Sequence, residues 1–127
     1  MKIQVVKKVL TDNQRILVEF NTPYGATFGN WIGAEPELFK ECHIEFEIPD
    51  RLIWGSNISE SELHDYKIWS NEKNIVLNVK LESYDDDHCL TVRLGDSLIL
   101  VETQGTPFTA LFLSLRVEKI NIYPFDI

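Results

Sequence analysis

The stretch at 74–103, NIVLNVKLESYDDDHCLTVRLGDSLILVET, indicates the fold class of the whole chain. Apolar side chains fall at every second position in its first two segments: Ile75, Leu77, Val79 and Leu81, then Leu90, Val92 and Leu94. This period of two is typical of strands that turn one face to a core. The last segment, SLILVET at 97–103, is apolar on both faces and predicts a more buried strand. The stretch therefore predicts three successive strands.

SYDDDHC, at 83–89, lies between the first two of these strands and carries groups that bind metals or move protons. Aspartate is favoured in turns because its side chain hydrogen-bonds nearby backbone N–H groups. A calcium loop starting at Asp85 would need a glycine and a glutamate where the chain has Leu90 and Asp96. A zinc site would need two ligands beyond the imidazole and the thiol. The stretch therefore predicts a hairpin turn, with no metal site and no cofactor.

The chain before this stretch predicts strands and one short helix. Two alternating segments flank 11–14, which has turn composition, and together they predict an N-terminal hairpin. HIEFEIPDRLIW at 43–54 alternates and predicts another strand. Ser59 and Glu62 have the spacing of a helix capping box, which predicts a short helix near 59–66.

After the stretch, residues 110–123 predict one long strand. Its apolar positions are odd-numbered up to Val117 and even-numbered at Ile120 and Ile122. A one-residue change of phase is what a β-bulge produces, so we expect a bulge near 118–119.

These elements predict an all-β fold with a single domain over 1–127. Successive strands on short connections favour a small closed or partly closed barrel, because closure removes the strand edges that an open sheet must protect. Strand order cannot be read from one sequence, so a β-sandwich remains an alternative to the barrel.

The order from about 43 onward resembles an OB-fold: a bent strand, a helix-bearing connection, a hairpin and two further strands. HIEFEIPDRLIWGSNI, with VRLGDSLILVE and INIYPFDI, is similar to small uncharacterised bacterial proteins with OB-like barrels. The resemblance covers about 43–127 and implies a fold but no activity. The chain departs from it in the position of the helix and in the added N-terminal hairpin.

Composition excludes several classes of function. The chain has 127 residues, 44% of them apolar, and a net charge of −8, with a pI of about 4.8. Nucleic-acid binding is disfavoured because it depends on cations that neutralise phosphates. No apolar run approaches the ~20 residues of a membrane span, and no signal peptide is seen, so we expect a cytoplasmic protein. In a reducing compartment Cys42 and Cys89 are expected to be free thiols.

Acidic side chains concentrate at 35–65, where nine acids stand against two bases and give a net charge of −7. Tryptophan is favoured at interfaces, and two tryptophans lie near this region in the sequence. The residues predicted to form a binding surface are Glu45, Glu47, Trp54, Glu62 and Trp69.

The leading hypothesis is a non-catalytic bacterial protein-binding module, an accessory or immunity-type protein that docks a basic partner through this acidic surface. The alternative is a barrel that binds a small ligand or saccharide on tryptophan platforms. No nucleophile-elbow motif or phosphate loop occurs, and we do not expect an enzyme. The apolar strand at 97–103 and the N-terminal hairpin could also join copies into a homo-oligomer.

Overall fold

The computed structural model describes residues 1–125, and the all-β class predicted from the alternation is confirmed. Nowhere in these residues is there a helix with the length and apolar character that a membrane crossing requires. The strands are β1 (Lys2–Leu10), β2 (Ile16–Thr22), β3 (Gly25–Trp31), β4 (Glu41–Glu47), β5 (Leu52–Ile53), β6 (Ile58–Ser61), β7 (Lys67–Ser70), β8 (Ile75–Tyr84), β9 (Cys89–Leu94), β10 (Ser97–Gln104), β11 (Phe112–Val117) and β12 (Asn121–Phe125).

Five of these strands form a closed barrel in the order β1-β2-β3-β12-β4, and β4 pairs back onto β1. The pairs are antiparallel except β3 with β12, which run parallel. The predicted N-terminal hairpin is present as β1 and β2. The prediction of a small closed barrel is therefore confirmed.

Alternate side chains fill the barrel interior. Phe20, Ile44 and Ile122 are completely buried, and the ring centroids of Phe20 and Phe46 lie 6.1 Å apart. A Cβ at Gly29 would lie 2.8 Å from Cδ1 of Ile122, closer than packed carbons approach. Glycine at this position therefore leaves the room that Ile122 occupies.

The remaining strands form a second sheet in the order β5-β10-β9-β8-β11-β6, and β7 also pairs with β8. Its pairs are antiparallel except β5 with β10. A parallel bridge between Trp54 and Ile58 brings the two end strands together, so this sheet nearly closes as well.

The barrel and the second sheet share one continuous hydrophobic cluster. At their seam the backbone N–H of Ile68 donates to the carbonyl oxygen of Tyr24 at 3.1 Å. The Tyr24 ring lies against Gly95, where a Cβ would overlap it, and meets Tyr66 edge-on at 5.4 Å. The two layers therefore pack through backbone as well as side chains.

The helix predicted near 59–66 is wrong: this segment is strand β6 followed by a loop at 62–66. The Ser61 hydroxyl accepts a hydrogen bond from the Leu63 N–H at 3.2 Å. Asn78 on β8 donates from Nδ2 to the carbonyl oxygens of Leu63 and Asp65, at 2.7 and 2.8 Å. Side-chain donors of the sheet therefore hold the backbone of this loop.

The single long strand predicted at 110–123, with its bulge near 118–119, is also wrong. The segment is two strands, β11 in the second sheet and β12 in the barrel, joined by residues 118–120. The change of phase in the apolar pattern marks the point where the chain passes from one sheet to the other. Bulges occur instead within β1 and β8.

The closed barrel is formed by strands that lie within 1–47 and 121–125. One further expectation is corrected by the burial. Strand β10 is not buried on both faces, because Leu98 and Leu100 are 56% and 67% exposed.

Candidate functional site

The three acidic residues predicted for the binding surface lie in two places. Glu45 and Glu47 project outward from the same face of β4 in the barrel, and both are exposed. Glu62 lies in the loop between β6 and β7, in the other sheet. Among the described residues no hydrogen bond or ion pair links Glu62 to the β4 pair. The fold therefore divides the acidic region at 35–65 between its two layers.

The two predicted tryptophans do not join these acids. Trp54 is 6% exposed, and its Nε1 donates to Oγ1 of Thr103 at 3.1 Å. Trp69 is half-buried on β7, with Nζ of Lys67 5.0 Å from its ring centroid. Trp54 has the same parity as the inward residues from Ile44 to Leu52, so its burial could have been predicted from the sequence.

Aromatic side chains from β12 take the place predicted for the tryptophans. In the β4–β12 ladder Tyr123 is opposite Glu45 and Phe125 is opposite His43. Tyr123 and Phe125 are 38% and 43% exposed. We call five of the outward side chains of this ladder, His43, Glu45, Glu47, Tyr123 and Phe125, the β4–β12 face.

Glu47 is held by two hydrogen bonds within this face. Its Oε1 accepts hydrogen bonds from Nδ2 of Asn121 at 2.8 Å and from the Tyr123 hydroxyl at 3.3 Å. Partial burial raises the pKa of Tyr123, and the negative charge of Glu47 raises it further. Within residues 1–125 neither Glu45 nor Glu47 forms an ion pair. The face therefore presents two carboxylates that no cation neutralises.

A cleft of about 500 Å³ adjoins one end of this face, and Trp31, Pro36 and Pro124 are among its walls. Its acidic side chains are each paired with a lysine: Glu35 with Lys8, Glu37 with Lys40, and Glu41 with Lys2, at 3.2, 3.5 and 3.7 Å. The cleft consequently carries little net charge, whereas Glu45 and Glu47 beside it form no ion pair within residues 1–125.

Both cysteines are free thiols. Cys42 lines the same cleft, and burial raises the pKa of its thiol. A thiol with a raised pKa stays protonated at neutral pH and is a weak nucleophile. The cleft therefore offers no activated sulfur.

SYDDDHC is a hairpin turn between β8 and β9, as predicted. Oδ1 of Asp85 accepts hydrogen bonds from the backbone N–H groups of Asp87 and Cys89 at 2.9 and 3.0 Å. His88 adopts a φ of 64°, and its Nδ1 lies 3.1 Å from the Tyr84 hydroxyl. Over residues 1–125 no three His, Cys, Asp or Glu side chains are grouped to hold a metal ion.

The aromatic half of the face was missed from sequence, although one signal for it exists. Ile120 and Ile122 point inward, so alternation places Tyr123 and Phe125 outward. Alternation could not predict that Tyr123 lies beside Glu47, because the two residues are 76 positions apart in the chain.

Comparison of the chain with protein-family models, curated proteins and solved structures finds no match in any of the three. The function of the chain is therefore inferred from the geometry of its own surface.

Proposed function

We propose that the chain is a non-catalytic protein-binding module that docks a basic partner through the β4–β12 face. One observation carries the proposal: Glu45 and Glu47, which no cation pairs, stand beside the exposed rings of Tyr123 and Phe125. Aromatic side chains are enriched among the residues that dominate binding energy at interfaces. Carboxylates beside them select and steer a basic partner.

The charge of the whole chain supports the same partner class. A net charge of −8 attracts a basic protein over roughly the Debye length of ~10 Å at moderate salt. In its most specific form the proposal is a bacterial accessory or immunity-type protein that inhibits a basic toxin, such as a nuclease.

We also propose that the closed barrel is OB-like. Five strands in a closed barrel, with one parallel pair and a long excursion between β4 and β12, support this reading. Fold analogy of this kind implies no activity.

No observation favours the alternative of a saccharide-binding barrel with tryptophan platforms. Stacking needs an open indole face, and Trp31 and Trp54 are each 6% exposed. Lys67 covers one face of Trp69.

Self-association is proposed on the outward face of β10. The exposed side chains of Leu98 and Leu100 are flanked there by the pairs Arg93–Glu82 and Arg51–Glu102, so the charges around this apolar patch are balanced. Light scattering at increasing concentration should show a dimer that Leu100→Lys abolishes. A mass that stays at 14.7 kDa contradicts the proposal.

The docking proposal is tested by affinity capture from lysate of the source cell, comparing three immobilised proteins. Wild type and the control Glu60→Lys/Glu72→Lys should both retain a basic partner, and Glu45→Lys/Glu47→Lys should lose it. The control reverses the same number of exposed charges away from the face. Retention should also weaken as salt rises. A partner retained equally by all three proteins, or one indifferent to salt, contradicts the proposal.

The aromatic contribution is tested separately with Tyr123→Ala/Phe125→Ala. Loss of two interface anchors should weaken binding of the captured partner by at least ~10-fold. Unchanged affinity would mean that the partner does not cover β12.

A further inference from the structure

A second cleft on the barrel borders the β4–β12 face, because Asn121 in its wall donates a hydrogen bond to Glu47. It has a volume of about 490 Å³ and lies where the β1–β2 turn, the end of β3 and the segment before β12 meet. We call it the cationic cleft and define it by Arg15, Ile16, Asn30, Ile32, Lys119 and Asn121.

The charge of this cleft is opposite to that of the molecule. Acidic residues outnumber basic ones by 20 to 12 in the chain, yet the residues that line the cleft include Arg15 and Lys119 and no acid. Within residues 1–125 neither cation forms an ion pair. Both charges are therefore available to an anionic ligand.

Two amide side chains add hydrogen-bond donors in a fixed orientation. Ionised Glu47 can only accept hydrogen bonds, so the Asn121 group facing it is the NH2, at 2.8 Å. Oδ1 of Asn121 then accepts from Nδ2 of Asn30 at 3.3 Å. Each of the two NH2 groups uses one N–H in these hydrogen bonds, and its second N–H can donate to a ligand. Because Asn30 and Asn121 are paired in the β3–β12 ladder, the backbone of both is fixed by the closed barrel.

The walls and size of the cleft limit the ligand further. Ile16 and Ile32 provide apolar surface, and Ile32 is 40% exposed. The volume falls within the ~300–1,000 Å³ of typical small-molecule sites. Two cations are too few for a nucleic-acid backbone on a chain of net charge −8. A small organic molecule with one acid group fits these constraints.

We infer that the cationic cleft binds a small organic anion. The phosphate or carboxylate of the ligand lies between Arg15 and Lys119 and accepts from the amides of Asn30 and Asn121. Its apolar body lies on Ile16 and Ile32. This inference does not rest on the proposed docking function, and the two sites are linked through Glu47, which accepts a hydrogen bond from Asn121.

The inference is tested by NMR titration of the isotope-labelled chain with phenyl phosphate, benzoate, inorganic phosphate and benzyl alcohol. The first two should give saturable shifts of the Asn30 and Asn121 side-chain NH2 signals, and the stronger of them identifies the acid group. Inorganic phosphate should bind more weakly because it leaves the apolar wall uncovered. Benzyl alcohol, which has the ring without the charge, should not saturate.

Substitution of Arg15 and Lys119 tests whether these two cations form the binding site. Arg15→Gln and Lys119→Gln should each weaken binding of the better probe by roughly 3–10-fold, as expected for a lost charge-assisted contact. Lys73→Gln removes an equal charge from the exposed turn after β7 and should leave binding unchanged. Shifts that stay linear with every probe, saturation by benzyl alcohol, or equal weakening in all three variants would overturn the inference.

Discussion

Where the barrel and the second sheet meet, single glycines allow the two layers to pack closely. Gly25 has a φ of +140°, and a Cβ there would overlap the carbonyl oxygen of Ile68 on β7. Gly55 also has a positive φ, +84°, but a Cβ there would meet nothing within 4 Å. Both positions therefore carry the cost of a positive φ, and only Gly25 adds the cost of a collision.

We predict that Gly25→Ala lowers the free energy of unfolding by about 2–4 kcal/mol, because it adds overlap with fixed backbone to the strain of a positive φ. Gly55→Ala carries the strain alone and should cost only about 1 kcal/mol. Urea denaturation of both variants measures the difference. Equal losses would mean that the seam can open enough to accept a methyl group.

The Tyr123 hydroxyl on the β4–β12 face provides a pH-dependent test. Partial burial and the carboxylate of Glu47 both raise its pKa above the ordinary value of 10.0. As pH rises, the unfolded chain loses this proton first, so Tyr123 makes the fold less stable above the ordinary pKa.

We expect Glu47→Gln to lower the pKa of Tyr123 but to leave it above the ordinary value, since burial is the larger cause. Ultraviolet titration of tyrosinate measures this, with Tyr123→Phe to identify the signal and Glu72→Gln as a control. A pKa that does not change in Glu47→Gln would mean that the hydroxyl and the carboxylate do not interact.

Among the elements, the loop at 62–66 shows how a side chain of one strand can decide the structure of a distant segment. Asn78 is 2% exposed on β8 and holds two carbonyl groups of this loop. His64 also stacks on Phe112 of β11, with ring centroids 5.4 Å apart. These contacts with the sheet outweigh the weak helical preference of so short a segment.

We predict that Asn78→Ala destabilises the protein by about 2–3 kcal/mol, because two carbonyl groups lose their donor. The loss should be accompanied by faster amide hydrogen exchange at 62–66. Lys80→Ala, on the same strand, is the control and should change neither quantity by much. If exchange in the loop stays slow in Asn78→Ala, other contacts hold the loop.

Alternation predicted strands at β1, β2, β4, β8, β9 and β10, because it follows from the pleat of each strand alone, but it did not predict β3, β6 or β7. It also placed Glu45 and Glu47 outward, opposite the buried Ile44 and Phe46. It could not pair β12 with β4, since that contact joins distant parts of the chain. Nor could the local pattern show that Asn78 would capture the 62–66 loop, because that choice is made by tertiary hydrogen bonds.

For the molecule as a whole, the main consequence of the fold is that barrel and second sheet have one core. Ile122 of the barrel and Leu113 of the sheet are both completely buried, and both belong to the same hydrophobic cluster. Because the buried residues of both layers pack in one continuous cluster, we expect the two layers to unfold together.

We predict a single unfolding transition. Ile122→Ala and Leu113→Ala should each lower the free energy of this transition by about 2–5 kcal/mol. Urea denaturation followed by circular dichroism and by tryptophan fluorescence should give coincident curves for wild type and both variants. Two separate transitions, each sensitive to one variant, would show that the layers are independent folding units.

Strand β12 closes the barrel by pairing with β4, although the two strands are far apart in the sequence. The hydrogen-bonded residues Asn121 and Glu47, for example, are 74 positions apart. During synthesis β1 to β4 leave the ribosome first. These four strands stay without β12 until the strands of the second sheet have also been synthesised. Long-range pairings of this kind form slowly and leave early segments unprotected. The nascent chain therefore presents an incomplete barrel during most of its synthesis, and a chaperone that recognises unpaired strands would find its substrate there.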